Sequence, residues 1–146
     1  MTKSFVTLDL ALHHRLVAMA DRITSRPHDY AVPTFKEGYL LGWMLDSAKW
    51  QTKVVIHRLV HAPVADVEHD HEWDSASVIL RGRYIEHTKE GSFVRTERQM
   101  VFRRDYEPHR LELFPAESCT TLFLYDQHAI RLKTGDLSLL ERLSHL

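Results

Sequence analysis

The sequence has little cysteine, no long apolar run and almost no net charge. Cys119 is the only cysteine in 146 residues, which excludes an intrachain disulfide. No apolar stretch approaches the roughly 20 residues that span a bilayer, and the first residues lack the apolar core of a signal peptide. A net charge of −1 gives no basic surface for nucleic acid. We therefore expect a cytoplasmic protein without nucleic-acid or membrane partners.

Apolar residues at helical spacing predict a helix at each end of the chain. The first covers residues 8–25 and ends before Pro27, because proline disfavours helical geometry in the residue before it. Residues 26–37 predict a loop. The second helix is predicted over residues 136–146, with Asp136 as its N-cap.

Between these helices the sequence predicts a mainly β domain at about residues 39–133. Short runs rich in Val, Ile, Leu and Tyr alternate with turn signals, a texture typical of a sandwich or barrel. Glu90-Gly91 is a tight-turn signal. We see no repeat and no linker, so we expect one domain over residues 1–146. The predicted strands are 39–45, 53–61, 67–71, 75–81, 83–88, 92–97, 99–103, 107–114, 119–126 and 128–133.

His69 and His71 form the most informative pair in the chain. With 11 histidines, about 0.8 His-x-His pairs are expected by chance, so the spacing alone carries little weight. The context adds weight, because residues two apart on a strand face the same side and this pair opens a β-rich run that ends at Gly82. A later predicted strand carries Pro108 and His109. Clustered imidazoles suit Fe, Zn, Cu or Ni.

This arrangement resembles the two motifs of the cupin superfamily. The first cupin motif is His-x-His, followed by Glu and then Gly, and His69, His71 and Gly82 match it. The second motif has a proline-rich approach to a third ligand histidine, which His109 matches. The resemblance covers roughly residues 39–133. It implies a double-stranded β-helix, the jelly-roll barrel of the cupins, that holds one metal ion through these three histidines.

Ser75 stands where the cupin motif has its glutamate, which points to the three-histidine branch of the superfamily. Within that branch the chain looks like the cysteine (thiol) dioxygenases, both in His69-Asp70-His71 and in the run that follows His109. The resemblance implies Fe(II) as cofactor, O₂ as co-substrate and Tyr125 as the catalytic tyrosine. Zn, Ni and Mn stay open as alternative ions.

The predicted pocket differs from that of the thiol dioxygenases in two places. Phe123 stands where the family has a histidine beside the metal ligands. The family's arginine for the substrate carboxylate has no counterpart in residues 39–43. We therefore expect a small organic substrate that is less charged or larger than cysteine. The predicted pocket consists of Trp43, Trp73, Ser75, Ser77 and Phe123.

Other polar side chains are interpreted from strand parity. Arg81 shares the face of Ser75 and Ser77, where it could bind a substrate carboxylate or reach water at the strand end. Glu72 and Asp74 point away from that face, and a role as fourth ligand requires a bulge. His57 is interpreted as a solvent-facing strand residue, with a hydrogen bond to a metal ligand as the alternative.

Three functions stay open at the level of sequence. The first is an iron-dependent oxygenase of the thiol-dioxygenase type. The second is a non-redox cupin enzyme that uses Zn or Ni as a Lewis acid. The third is a cupin that binds a small molecule without catalysis. Cupins often pair through barrel strands, so the resemblance also allows a homodimer.

Overall fold

The computed structural model describes residues 5–33, 39–45, 54–60 and 71–146. In these ranges the mainly β prediction is confirmed, because they hold ten strands and three helices. The helices are α1 (Leu10–Thr24), α2 (Gln127–Lys133) and α3 (Ser138–Leu143). The strands are β1 (Phe5–Thr7), β2 (Tyr30–Pro33), β3 (Tyr39–Met44), β4 (Val54–Val60), β5 (Ser75–Arg81), β6 (Arg83–Thr88), β7 (Gly91–Thr96), β8 (Gln99–Arg103), β9 (Arg110–Glu112) and β10 (Cys119–Tyr125).

Helix α1 confirms the predicted N-terminal helix, with its start two residues later. Asp9 caps the helix, because its side chain accepts a hydrogen bond from the Leu12 N–H at 3.2 Å. The buried face carries Leu12, Leu16 and Met19 at helical spacing. None of the helices in the described ranges has the length and apolar character needed to cross a bilayer.

The strands form two antiparallel sheets. The larger sheet has seven strands in the order β1-β8-β5-β10-β4-β3-β2, and the smaller has three in the order β7-β6-β9. One face of the larger sheet packs against the helices through Val78, Leu80, Leu122 and other apolar residues. Its opposite face meets the smaller sheet, where Ile79 and its neighbours pack around the buried Tyr84. The space between the two sheets is therefore the interior of the barrel.

Two glycines stand where the chain turns sharply. The predicted Glu90-Gly91 turn is confirmed, because Glu90 lies in the turn between the paired strands β6 and β7 and Gly91 is the first residue of β7. Gly82 separates β5 from β6 with φ +83°, and a Cβ there would lie 2.3 Å from the Ser118 carbonyl oxygen. Glycine is required at this position both by the left-handed backbone and by the close approach of Ser118.

The structure corrects two predicted elements. Residues 128–133 form most of helix α2 and not a strand; His128, Ala129 and Leu132 are buried, which is helical spacing. A run of six residues is too short for periodicity to separate strand from helix. Strand β2 lies inside the segment predicted as a loop, and it pairs with β3 at the edge of the sheet.

Some boundaries also differ from the predictions. The last helix begins at Ser138, and Asp136 accepts hydrogen bonds from the Ser138 N–H and hydroxyl just before it. The strand predicted at 107–114 is limited to Arg110–Glu112. The strand predicted at 67–71 lies outside the described residues except for His71, which is not in a strand.

Candidate functional site

The candidate site lies at one end of the barrel interior, where β10 ends and β5 begins. These two strands are antiparallel, and their register pairs Tyr125 with Ser75 and Phe123 with Ser77. His71 precedes β5 and is held from the opposite loop, because the Tyr106 N–H donates to the His71 carbonyl at 2.7 Å. Ser75 and Tyr125, two predicted site residues 50 positions apart in sequence, therefore share one end of the barrel.

His71 and His109 lie next to each other, with ring centroids 5.5 Å apart. Two imidazoles on one ion have centroids about 4.5–5.2 Å apart, given metal–nitrogen bonds of about 2.1 Å. The two rings therefore fit a shared ion with a small adjustment. His69, the third predicted ligand, lies outside the described residues, and within the described ranges no group of three ligating side chains is assembled. The three-histidine metal site stays a prediction.

Glu86 on β6 accepts a hydrogen bond from His109. Its Oε2 lies 2.7 Å from the His109 Nδ1, and both side chains are almost completely buried. A carboxylate has no proton to donate, so the imidazole is the donor. Metal-ligating histidines almost always donate their second ring N–H to such an acceptor.

Two buried arginines surround the same carboxylate. Arg95 Nε donates to Glu86 Oε1 at 2.9 Å, and Arg103 Nε donates to Glu86 Oε2. Arg103 also donates to the hydroxyls of Ser77 and Tyr84, each at 2.9 Å. Burial alone raises the pKa of Glu86, but the Arg103 charge and the hydrogen bonds from His109 and Arg103 outweigh it and hold that pKa below its ordinary value.

His57 belongs to the site, which corrects its interpretation as a solvent-facing residue. The ring centroids of His57 and Phe123 are 5.5 Å apart, and the His57 Nε2 lies 2.7 Å from the Tyr30 hydroxyl. Burial, together with the charge of His71, lowers the pKa of His57 to about 4, so this imidazole is neutral near pH 7. The Tyr30 ring occupies the space where a Cβ on Gly42 would lie, at 2.2 Å.

The remaining predicted pocket residues fall into an aromatic group and a serine pair. The Phe123 ring lies 5.3 Å from His71 and 4.5 Å from Tyr125, and the half-exposed Trp73 lies 5.8 Å from Tyr125 at the rim. Burial raises the pKa of Tyr125, so its phenol keeps its proton near pH 7. Ser75 is buried and its hydroxyl has no hydrogen-bond partner among the described residues, whereas Ser77 accepts from Arg103.

Trp43 does not line the interior, which corrects its placement in the pocket. It is paired with Ile56 in register, and both residues belong to the core between the larger sheet and the helices. Its indole N–H donates to the Arg26 carbonyl at 2.8 Å. The alternation of side chains along β3 places Trp43 on the face opposite to the site.

The other polar candidates are Arg81, which lies at the end of β5 opposite to His71, and the acidic residues Glu72 and Asp74. Arg81 points outward and pairs with Asp21 of helix α1 at 2.8 Å. Asp74 accepts a hydrogen bond from the Asp105 N–H at 2.8 Å, and Glu72 is exposed.

Sequence reasoning missed Glu86, Arg95 and Arg103. The available signal was parity: Tyr84 and Glu86 share one face of β6, and Arg95 and Arg103 lie on strands with apolar neighbours. Charged residues on a face that is otherwise apolar indicate a buried pair. Which residues pair with which is decided by the packing of the two sheets, and local spacing does not contain that information.

Solved structures similar to this chain share its fold at low sequence identity. A predicted oxalate decarboxylase from Thermotoga maritima matches with a TM-score of 0.57 and 15% identity, over 70% of this chain and 94% of that one. A cupin-like protein from the same organism has a TM-score of 0.54 and 16% identity, over 71% and 80%. The polyketide cyclase RemF from Streptomyces resistomycificus has a TM-score of 0.51 and 19% identity, over 64% and 66%.

Neither a protein-family model nor a curated protein matches the sequence. At identities this low, similarity of structure establishes the fold and leaves the activity open. The structural matches and the two antiparallel sheets nevertheless agree with the architecture expected from the histidine motifs. The chain therefore has the jelly-roll fold of the cupins.

Proposed function

We propose that the chain is a metal-dependent cupin that binds a small organic substrate at an ion held by His69, His71 and His109. The observation that supports this most directly is the pair of His71 and His109, 5.5 Å apart, with His109 bonded to a buried carboxylate. This is the arrangement in which a histidine offers its other ring nitrogen to a metal.

We propose Fe(II) as the ion and an oxygenase of the thiol-dioxygenase type as the activity. When bound, a ferrous ion with three neutral imidazole ligands supplies neighbouring open positions for substrate and O₂. The protein's own contribution is an aromatic wall of Phe123, Tyr125 and Trp73, which orients the substrate and excludes water. The Tyr125 phenol, which keeps its proton, is the hydrogen-bond donor toward the bound substrate.

The substrate is proposed to carry less charge than cysteine. The described wall next to His71 is formed by uncharged rings, including the neutral His57. The guanidinium of Arg103 already donates to Glu86, Ser77 and Tyr84. A carboxylate buried at this wall without a partner is costly. We therefore expect a value of kcat/KM for cysteine below about 10⁴ M⁻¹s⁻¹, the lower end of ordinary enzyme efficiency.

The metal proposal is tested by metal analysis of protein purified without a histidine tag. His69→Ala, His71→Ala and His109→Ala should each lower metal stoichiometry strongly. His57→Ala should lower it much less, and the exposed His145→Ala serves as the control. Full metal occupancy in His71→Ala or His109→Ala would contradict the proposed ligand set.

The oxygenase proposal is tested by O₂ consumption after anaerobic loading with iron. The assay compares cysteine with a panel of thiols and β-dicarbonyls. Consumption with an uncharged thiol, and little with cysteine, supports the proposal. Metal binding without O₂ consumption for any compound instead favours the non-redox Zn or Ni enzyme, and ligand binding without metal favours a binding protein.

A further inference from the structure

Glu86 accepts a hydrogen bond from one ring nitrogen of His109. It lies near the middle of β6, and its side chain is 1% exposed. Arg95 donates to one carboxylate oxygen at 2.9 Å, while Arg103 and His109 both donate to the other. A buried carboxylate between two guanidinium groups is ionised and acts only as an acceptor.

This acceptor decides which tautomer of His109 is stable. The neutral imidazole ring has one N–H and one lone pair, so a proton on Nδ1 leaves the lone pair on Nε2. Reversing the tautomer would bring the Nδ1 lone pair against the Glu86 carboxylate at 2.7 Å and remove a charge-assisted hydrogen bond.

We infer that Glu86 is a positioning residue that fixes His109 in the Nδ1–H tautomer and so presents its Nε2 as the metal ligand. Arg103 braces this carboxylate from strand β8, because it also bonds Ser77 on β5 and Tyr84 on β6. The orientation of the imidazole is thereby tied to three strands and both sheets. The consequence for metal affinity rests on the proposed function, whereas the tautomer does not.

The chain contains a matched control in a second histidine–glutamate pair on the same sheet. His87 Nε2 lies 2.9 Å from Glu112 Oε1, and His87 Nδ1 lies 2.7 Å from the Ser92 hydroxyl. The same argument assigns the proton of His87 to Nε2. The two histidines should therefore show opposite tautomers within one sample.

The experiment is ¹⁵N NMR of the metal-free protein labelled at histidine. It is recorded at rising pH, from the ordinary imidazole pKa of about 6.5 upward, until each ring shows one protonated and one unprotonated nitrogen. Long-range ¹H–¹⁵N correlations distinguish the two ring nitrogens, and His109→Gln and His87→Gln assign the signals. We expect Nδ1–H for His109 and Nε2–H for His87. An Nε2–H tautomer at His109 in the unsubstituted protein would overturn the inference, whether or not Glu86→Gln folds.

Glu86→Gln is the variant that tests cause. It should lower the population of the Nδ1–H tautomer of His109 and weaken metal binding by about 10–100-fold in a chelator competition. Glu112→Gln should change neither quantity. If Glu86→Gln folds with both quantities unchanged, Glu86 does not position His109. A wild-type Nδ1–H tautomer in a protein that binds no metal would leave this inference standing and overturn the proposed function.

Discussion

The two faces of the seven-stranded sheet have opposite characters, although the same strands form both. Toward the helices, β5 and β10 present Ala76, Val78 and Leu122 to a core made mostly of apolar side chains. Toward the smaller sheet, the alternating positions are Ser77, Phe123 and other residues that reach the site. One face contributes packing, and the other carries charges and rings whose burial depends on specific partners. The face toward the helices should tolerate substitutions that conserve side-chain volume, and the face toward the smaller sheet should not.

The two tryptophans predicted to line the pocket lie on opposite sides of this division. Trp43 is 3% exposed in the helix-side core, and Trp43→Ala should lower the free energy of unfolding by about 3–5 kcal/mol because it leaves a cavity. Trp73 is 46% exposed at the rim of the site, and Trp73→Ala should change the free energy of unfolding by less than about 1 kcal/mol. Urea unfolding of the metal-free variants measures both.

Fluorescence distinguishes the same two residues by location. Titration with a paramagnetic metal should quench the indole nearer the site, so Trp73→Phe should reduce the quenching and Trp43→Phe should retain it. The opposite result would place Trp43 in the interior and remove the separation between the faces.

The buried charges of the interior face provide a second large effect. Arg103→Met should lower the free energy of unfolding by about 3–5 kcal/mol, because Glu86, Ser77 and Tyr84 lose a buried donor. The control is Arg83→Met. Its guanidinium pairs with Glu117 at 3.1 Å on the surface, where solvent screens the pair, so its loss should change the free energy of unfolding little. Equal losses of unfolding free energy in chemical denaturation would show that the interior network contributes no more to stability than a surface ion pair.

The interior face should also make stability depend on pH through His57. Its pKa is lowered from 6.5 to about 4 in the folded protein. Between these values the unfolded chain binds a proton that the folded protein does not, so stability falls as the pH falls from 6.5 to about 4. The contribution is at most about 1.4 kcal/mol per pH unit. In the metal-free protein, His57→Gln should reduce the change of the urea midpoint with pH over this range. The exposed His14→Gln should leave that change as it is.

Sequence predicted the strands of the barrel better than the contacts inside it. The bounds of β5 and β6 were predicted correctly, because both are short runs of strand-favouring residues that end at turn signals such as Gly82. Parity also placed Ser75 and Ser77 on the interior side. Glu86 and His109 are 23 positions apart and meet only because two sheets pack together. No local pattern specifies that pairing, and the same holds for Tyr30, which reaches His57 from an edge strand.

Arg81 gives the smallest expected effect and the sharpest test of strand parity. Simple alternation from Ser77 would direct it into the barrel. The register with β10 shifts, however: Thr121 pairs with Ile79 and Thr120 pairs with Arg81, so one residue of β5 is extra and the alternation reverses there. Arg81 consequently points toward helix α1 and pairs with Asp21, with both side chains more than half exposed.

An exposed ion pair of this kind contributes about 0–1 kcal/mol and is screened by salt. Arg81→Ala should therefore lower the free energy of unfolding by less than about 1 kcal/mol, and the difference should shrink as salt is added. Metal stoichiometry and the response to any carboxylate ligand should match those of the unsubstituted protein. A loss of carboxylate binding in Arg81→Ala, with stability unchanged, would mean that the side chain faces the interior and that the register shift does not redirect it.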